Sequence, residues 1–159
     1  MLAVAFCLSW LCQPCEAQLK GKCPEGWKRV SAKEYFTFCL PPGLKQDNKL
    51  NIESFSGGYT SDNLRFYFDY EPYDFLSYEF RHEKEMLNYE ETEIKFDDRK
   101  AVIRTYETRA EGSELYKAEL HIGDWEKSKI ELEMVVVGKN ADVIETAKKI
   151  FLSVDFLKN

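Results

Sequence analysis

The chain has 159 residues, of which 44% are hydrophobic and 31% are charged, and its formal net charge is −6. These values are typical of one globular domain and exclude an intrinsically disordered chain. The acidic balance, and the lack of any run of Lys and Arg, argue against nucleic acid or an anionic membrane surface as the partner, because both need clustered positive charge.

The first 17 residues have the pattern of a secretory signal peptide. Residues 2–12 are apolar, and Cys15 and Ala17 supply the small side chains of a cleavage site. We therefore expect residues 1–17 to be a signal peptide and residues 18–159 to form a single domain that is secreted or periplasmic. After cleavage no membrane attachment is expected. An uncleaved anchor or a buried N-terminal segment is the alternative.

Two cysteines, Cys23 and Cys39, lie outside this segment. In an oxidising compartment an even pair predicts one disulfide, which closes a loop of about 17 residues and stabilises the fold by about 3 kcal/mol. The alternative is two unpaired thiols, with Cys39 buried in a strand. Neither cysteine has a zinc-type spacing, so no metal site and no cofactor are expected.

The first half of the domain reads as short strands. Residues 35–40 are aromatic and β-branched and stop at Pro41-Pro42-Gly43, and residues 27–30 are also extended. Residues 50–55 alternate between apolar and polar side chains, and Gly57-Gly58 is expected to form a bulge or a turn. The clearest strand is 64–70, with Phe66 and Phe68 on one face and Tyr67 on the other.

The sequence pattern in the second half of the domain predicts longer strands and a final helix. Residues 74–87 are expected to form a short helix or an ordered loop. A helix capped by Asn140 and a short terminal strand at 153–156 close the chain. Residues 134–137 are apolar throughout and should be covered on both faces. The expected strands are 89–96 and 100–108, which form a hairpin, followed by 116–122 and 129–137.

Three segments make the chain resemble the PsbP-like fold, which includes the photosystem PsbP subunits, the Ran-binding Mog proteins and the DcrB envelope lipoprotein. They are the strand and turn FTFCLPPG at 36–43, the hairpin EIKFDDRKAVI at 93–103, and Ser-Val-x-Phe at 153–156 after the C-terminal helix. The resemblance implies an α+β fold: an antiparallel β-sheet flanked by helices in an α/β/α sandwich.

A second resemblance concerns the segment LRFYFDYEPYDFLSYE at 64–79, which is similar to a group of secreted bacterial proteins with an FDYG-type strand end. The PsbP-like fold hosts assembly factors and binding subunits. The resemblance therefore implies a non-catalytic binding or assembly module, not an enzyme, although a fold does not determine a function.

The best candidate for a ligand-binding surface is a cluster of aromatic residues around Pro72. Exposed tyrosines offer rigid apolar area together with a hydroxyl group, which suits a protein or a carbohydrate partner. The alternative is that these rings build the core and cover a sheet edge. The oligomeric state stays open. The candidate residues are Tyr67, Tyr70, Tyr73 and Tyr78.

Catalytic and metal sites have weaker signals. His82 lies in a charged run, and His121 is expected at the surface or rim of a strand, without a serine nucleophile in a recognisable motif. Asp69, Glu71 and Asp74 could converge on one loop that binds calcium, although no EF-hand spacing is present. The alternative function is a hydrolase of envelope polymers that uses carboxylates near the Tyr-rich loop.

Overall fold

The computed structural model describes six stretches of the chain, and the structural statements below refer to them. The signal-peptide segment and the expected helix or loop at 74–87, apart from its last two residues, lie outside these stretches. The described stretches are 22–47, 55–70, 86–96, 98–110, 113–124 and 129–157.

Most of the described strands belong to one antiparallel sheet of seven strands, here called the large sheet. Its order is β3-β4-β5-β9-β8-β7-β6, so the hairpin β6–β7 lies at one edge and the two-residue strand β3 at the other. The strands are β3 (Lys45–Gln46), β4 (Phe55–Thr60), β5 (Leu64–Tyr70), β6 (Met86–Phe96), β7 (Arg99–Ala110), β8 (Ser113–Asp124) and β9 (Lys129–Gly138).

A smaller antiparallel sheet of three strands, the small sheet, has the order β1-β2-β10. Its strands are β1 (Lys28–Ala32), β2 (Phe36–Leu40) and β10 (Asp155–Phe156). The helix α1 (Asp142–Leu152) precedes β10 and packs against β2, β8 and β9. The small sheet and α1 thus share one face of the large sheet, which we call its inner face. The opposite face is called the outer face.

Aromatic rings join the two sheets. The Phe36 ring meets the Phe68 ring edge-on with 5.4 Å between their centroids, and Phe38 lies 5.3 Å from Phe66. All four side chains are at most 5% exposed. Such tilted and edge-to-face pairs add to the hydrophobic stabilisation of the rings they bury. The strands β2 and β5 therefore form the seam between the small sheet and the large one.

The helix α1 is amphipathic, and its apolar side completes the core. Val143, Ala147, Ile150 and Phe151 are buried, as their spacing of three or four residues predicts. The expected cap at Asn140 is wrong, because the N-cap position is Ala141 and no side chain bonds to the helix start.

The strand predictions for β5, the β6–β7 hairpin, β8 and β9 are confirmed to within a few residues, and β10 forms as expected. The predicted antiparallel α+β class is therefore found, with α1 as the one helix of the described residues. The apolar run in β9 is covered on both faces, because Met134, Val135 and Val136 are all 0% exposed.

The predicted disulfide between Cys23 and Cys39 is present, with 5.5 Å between the two Cα atoms. It ties the segment before β1 to the end of β2. The backbone N–H of Cys39 also donates a 2.8 Å hydrogen bond to the Ser153 hydroxyl at the end of α1. Both contacts fix β2 at its C-terminal end.

The expectation that Gly57 and Gly58 form a bulge or turn is wrong, because both lie inside β4 and pair in regular register with Phe68 and Tyr67 of β5. The Phe68 ring explains the glycine at position 57. A Cβ atom built on Gly57 would lie 2.5 Å from the Phe68 Cζ atom. The ring therefore packs on the bare backbone of the neighbouring strand.

The contact between Gly57 and the Phe68 ring predicts that one added methyl group at position 57 destabilises the fold. Gly57→Ala should lower the free energy of unfolding by about 2 kcal/mol, because the buried Phe68 ring is enclosed by other rings and cannot move aside. In a Phe68→Leu background the same change should cost less than half as much. Urea denaturation of the four proteins in this double-mutant cycle tests the coupling. An equal cost in both backgrounds would contradict the contact.

Candidate functional site: an edge cleft and a buried charged cluster

The four tyrosines proposed as a binding surface are not assembled into one patch by the described residues. Tyr67 lies half-buried on the outer face, whereas Tyr70 points to the inner face and stacks on Tyr35 at 4.6 Å between ring centroids. Alternation along β5 places residues three apart on opposite faces. Tyr73 and Tyr78 lie outside the described residues, so their part in the prediction stays a prediction.

The outer face has a centre of buried ionisable groups that the sequence analysis did not single out. Glu119 is 5% exposed, His121 is 1% exposed and Glu133 is 6% exposed. In the strand register Asp69 lies opposite Glu133, and Glu133 lies opposite His121, so these groups form a row across β5, β9 and β8. We call these residues, together with Tyr106 and Lys117, the outer-face cluster.

Glu119 is the centre of this cluster. Its carboxylate accepts a 2.8 Å hydrogen bond from the Tyr106 hydroxyl, pairs with the Lys117 ammonium at 2.6 Å and lies 3.5 Å from the His121 imidazole. Burial opposes ionisation of Glu119, but His121 and Lys117 outweigh it and lower the pKa of the carboxyl to about 2. Burial, followed by the charge of Glu119, raises the pKa of the Tyr106 hydroxyl.

A second ion pair lies nearer the β6 edge. Arg104 donates a 2.7 Å hydrogen bond to Glu91, which also accepts one of 2.7 Å from the Tyr89 hydroxyl. The Arg104 hydrogen bond and then the Tyr89 hydrogen bond lower the pKa of Glu91. Burial and the Glu91 carboxylate raise the pKa of Tyr89 to about 12. The contact between Arg104 of β7 and Glu91 of β6 therefore joins these two paired strands through their side chains.

The expected surface position of His121 is wrong. The side chain is 1% exposed. It lies between Val102 of β7 and Glu133 of β9 in the strand register, with the Glu119 carboxylate 3.5 Å away, so neighbouring side chains of the outer face contribute to its burial. Within the described stretches no group of three or more His, Cys, Asp or Glu residues is placed to hold a metal ion. Of the calcium candidates only Asp69 is described, since Glu71 and Asp74 lie outside these stretches.

A separate feature is a cleft of about 570 Å³ between the two sheets, which we call the edge cleft. One wall is formed by residues 28–31 of β1. The other consists of the turn 40–44 and Gln46, and the Tyr59 ring contributes to the lining. Its volume lies within the range of pockets that hold ligands. Burial raises the pKa of the Tyr59 hydroxyl.

The edge cleft lies along two sheet edges. β1 is an edge strand of the small sheet, and β3 is an edge strand of the large sheet. Four consecutive residues of β1 line the cleft, so the cleft follows the strand edge and not one side-chain face. Within the described residues no strand pairs with the outer N–H and C=O groups of this segment.

The charge at the edge cleft is opposite to that of the whole protein. The described lining contains Lys28 and Arg29 and neither Asp nor Glu. Lys28 is exposed. The Arg29 guanidinium donates a 2.7 Å hydrogen bond to the Thr37 hydroxyl and contacts the Cys39 Sγ atom at 3.9 Å, so it lies over β2. Lys28 is therefore the cation that faces the edge cleft, on the same side of β1 as Val30.

The walls of the edge cleft are held by covalent and conformational constraints. The Cys23–Cys39 disulfide joins the start of the β1 hairpin to its end. In the opposite wall Pro41 and Pro42 restrict the backbone, and Gly43 has a φ of 89°, a conformation that favours glycine. A preformed site loses little conformational entropy when a ligand binds.

Comparisons with known proteins assign no family. No protein-family model matches the chain, and no curated protein matches it. Among solved structures, PA94 from Pseudomonas aeruginosa, a protein of unknown function, matches with 14% sequence identity and a TM-score of 0.42. The match covers 73% of this chain and 85% of PA94. A likeness at this TM-score supports no conclusion about function. In the described part of the chain, no helix has the length and apolar character to span a membrane.

The Glu119 contacts predict a specific acid sensitivity. Because the folded-state pKa of about 2 lies below the ordinary glutamate value of 4.5, the ionised carboxylate stabilises the fold above pH 4.5. That contribution, on the order of 3 kcal/mol, is lost as the pH falls from 4.5 towards 2. Glu119→Gln should therefore be less stable than the wild type at pH 7, and the difference should shrink in acid.

Urea melts of both proteins at several pH values measure this difference. Glu131→Gln is the control for the loss of one negative charge, because Glu131 forms an exposed surface pair with Arg99. Parallel acid profiles for the wild type and Glu119→Gln would contradict the assigned contacts.

Proposed function

We propose that this protein is an extracytoplasmic binding or assembly module without catalytic activity, and that the edge cleft is where it binds its partner. The observation that supports this function best is the cleft itself. It combines apolar side chains, the exposed Lys28 and strand-edge groups that no described strand pairs with, and the disulfide fixes one of its walls. Its described lining contains no histidine, cysteine or carboxylate that could serve as a general base or nucleophile.

The proposal includes the finer expectations from the sequence. A PsbP-like α/β/α sandwich is supported by the antiparallel sheet and by α1 on its inner face. A secreted or periplasmic location is supported by the signal-like residues 1–17 and by the disulfide, which is typical of oxidising compartments. Protein and carbohydrate remain the two partner classes under this proposal.

The alternative of an envelope-polymer hydrolase has less support. Such enzymes need two carboxyl groups on opposite sides of a cleft that holds the glycosidic bond. Asp69 and Glu133 instead lie side by side on neighbouring strands of the outer face. The edge cleft has no carboxylate in its described lining.

The proposed location predicts proteolytic processing. Expression of the full chain in a bacterial host should yield an exported protein. Its intact mass should equal that of a chain that begins at Gln18. A Leu8→Arg variant, which interrupts the apolar stretch of the signal, should keep the protein inside the cell and unprocessed. An exported wild-type protein that still contains residues 1–17 would contradict cleavage and favour an anchor.

The binding role predicts a response located in the edge cleft. In ¹⁵N–¹H spectra of the mature protein, the amide signals of residues 28–31 and Gly43 should shift on addition of one of two probes. The probes are a mixture of tryptic peptides from envelope proteins and a mixture of N-acetylglucosamine oligomers. Shifts with the oligomers only would assign the site to carbohydrate.

Two variants test whether the amide shifts result from binding in the edge cleft. Lys28→Trp places an indole at an exposed position of the cleft wall, on the side of β1 that faces the large sheet, and should abolish the shifts. Thr92→Trp places the same group on β6 at the opposite edge of the large sheet and should leave them unchanged. If neither probe shifts the cleft amides of the wild-type protein, the proposed binding role of the cleft is wrong.

A further inference from the structure

We propose that the edge cleft binds an extended acidic peptide segment of a partner protein, which adds to β1 as an antiparallel or parallel fourth strand of the small sheet. This inference rests on the proposed binding function and specifies its ligand. Three observations support it: the strand edge that no described strand pairs with, the apolar side chains that line the cleft, and the sign of the charge.

The unpaired edge argues for a peptide in place of a compact small molecule. A strand edge presents N–H and C=O groups in a repeating row, and an extended peptide backbone matches that row along its length. Within the described residues β1 pairs with β2 alone, through a regular register from Lys28 to Ala32. A ligand without a backbone would leave most of these polar groups without protein partners.

The walls of the cleft suit the side chains of such a strand. Successive side chains of an added strand point to opposite sides. On one side they would meet apolar groups, because Val30, Leu40 and Tyr59 line the cleft. At about 3.3 Å per residue, the four lining residues of β1 provide space for about four peptide residues.

The charge selects an acidic partner. Lys28 and Arg29 are the charged residues of the described lining, and both are cations. The Arg29 guanidinium is held over Thr37 and Cys39, so the exposed Lys28 ammonium is the charge that an added strand would meet. Opposite charges on neighbouring strands stabilise their pairing, whereas like charges oppose it.

The same cations act against the wrong partners. Lysine side chains on an edge strand discourage pairing with a second copy of the same edge. A parallel, in-register pair of β1 strands would place Lys28 and Arg29 of each chain beside the same residues of the other. An acidic strand meets no such repulsion, so the edge distinguishes a partner from a further copy of this chain.

The experiment uses the mature protein and four synthetic peptides of three kinds, each acetylated and amidated at its ends. The acidic peptide is Thr-Glu-Val-Glu-Val-Thr, the basic peptide has Lys in place of both Glu, and the third is the acidic peptide with N-methyl groups on alternate backbone nitrogens. Two N-methylated forms are made, one for each set of nitrogens. Calorimetry measures affinity, and amide hydrogen exchange locates the contact.

The acidic peptide should bind at least tenfold more tightly than the basic one. It should slow exchange at amides of β1 and leave β6 unchanged. One of the two N-methylated forms should bind at least tenfold more weakly, because its methyl groups block the hydrogen bonds to the strand edge. Lys28→Glu should remove most of the preference for the acidic peptide, whereas the matched control Lys95→Glu on β6 should keep it.

Equal affinities for the acidic and basic peptides would overturn the charge assignment. Undiminished binding of both N-methylated forms, or protection at β6 instead of β1, would overturn strand addition. In either case shifts of the cleft amides with tryptic peptides or oligosaccharides would leave the general binding role intact. Absence of any response in the cleft, with every probe, would overturn both proposals.

Discussion

The contact between the aromatic rings of β2 and those of β5 is the interaction on which the rest of the structure depends. Phe36 and Phe38 project from the small sheet onto Phe66 and Phe68 of the large one. They hold together two sheets that share no strand. The edge cleft exists because this contact sets the distance between β1 and the β3–β4 edge. A change in ring packing therefore reaches the cleft through Tyr59, whose ring contacts both Phe38 and Phe66 and lines the cleft.

The outer-face cluster has a different role in the structure. Buried ion pairs are weak evidence for stability, since the loss of hydration offsets much of their attraction. They are stronger determinants of register. A slip of one residue in β8 would turn Glu119 and His121 towards the inner face, where Leu120 and Ile122 are now fully buried. The outer-face cluster therefore disfavours pairings of β8 with β7 or β9 that are shifted by one residue.

The sequence was sufficient for the features that depend on local pattern. The alternation of apolar and polar residues predicted both ends of β5 correctly. The turn residues between β6 and β7 predicted the hairpin that these strands form. The disulfide followed from the number of cysteines and the expected compartment. The amphipathic spacing in α1 predicted its buried side, although the residue at its N-cap was wrong. In each case neighbouring residues alone determine the signal.

The features that the sequence did not predict depend on strand order or on contacts between distant segments. Gly57 and Gly58 looked like a turn because the ring that covers Gly57 comes from the next strand. The burial of His121 depends on its neighbours Val102 and Glu133 on the adjacent strands, and alternation along β8 does not reveal which strands these are. The edge cleft needs two different sheets to meet, and residues 28–31 and 40–44 contain no motif that indicates this.

The positions of the partners of β2 in the sequence limit the order in which the small sheet can fold during synthesis. β2 pairs with β1 on one side and with β10 on the other, and Cys39 bonds to Ser153, 114 residues away. Loops of this length close slowly because of their entropy. A nascent chain can assemble β1 and β2 early, but the other side of β2 stays uncovered until the final residues are synthesised. The small sheet is therefore among the last parts of the molecule to be completed, and until then one backbone edge of β2 lacks its partner strand β10. Unpaired strand edges make incompletely folded chains prone to aggregation.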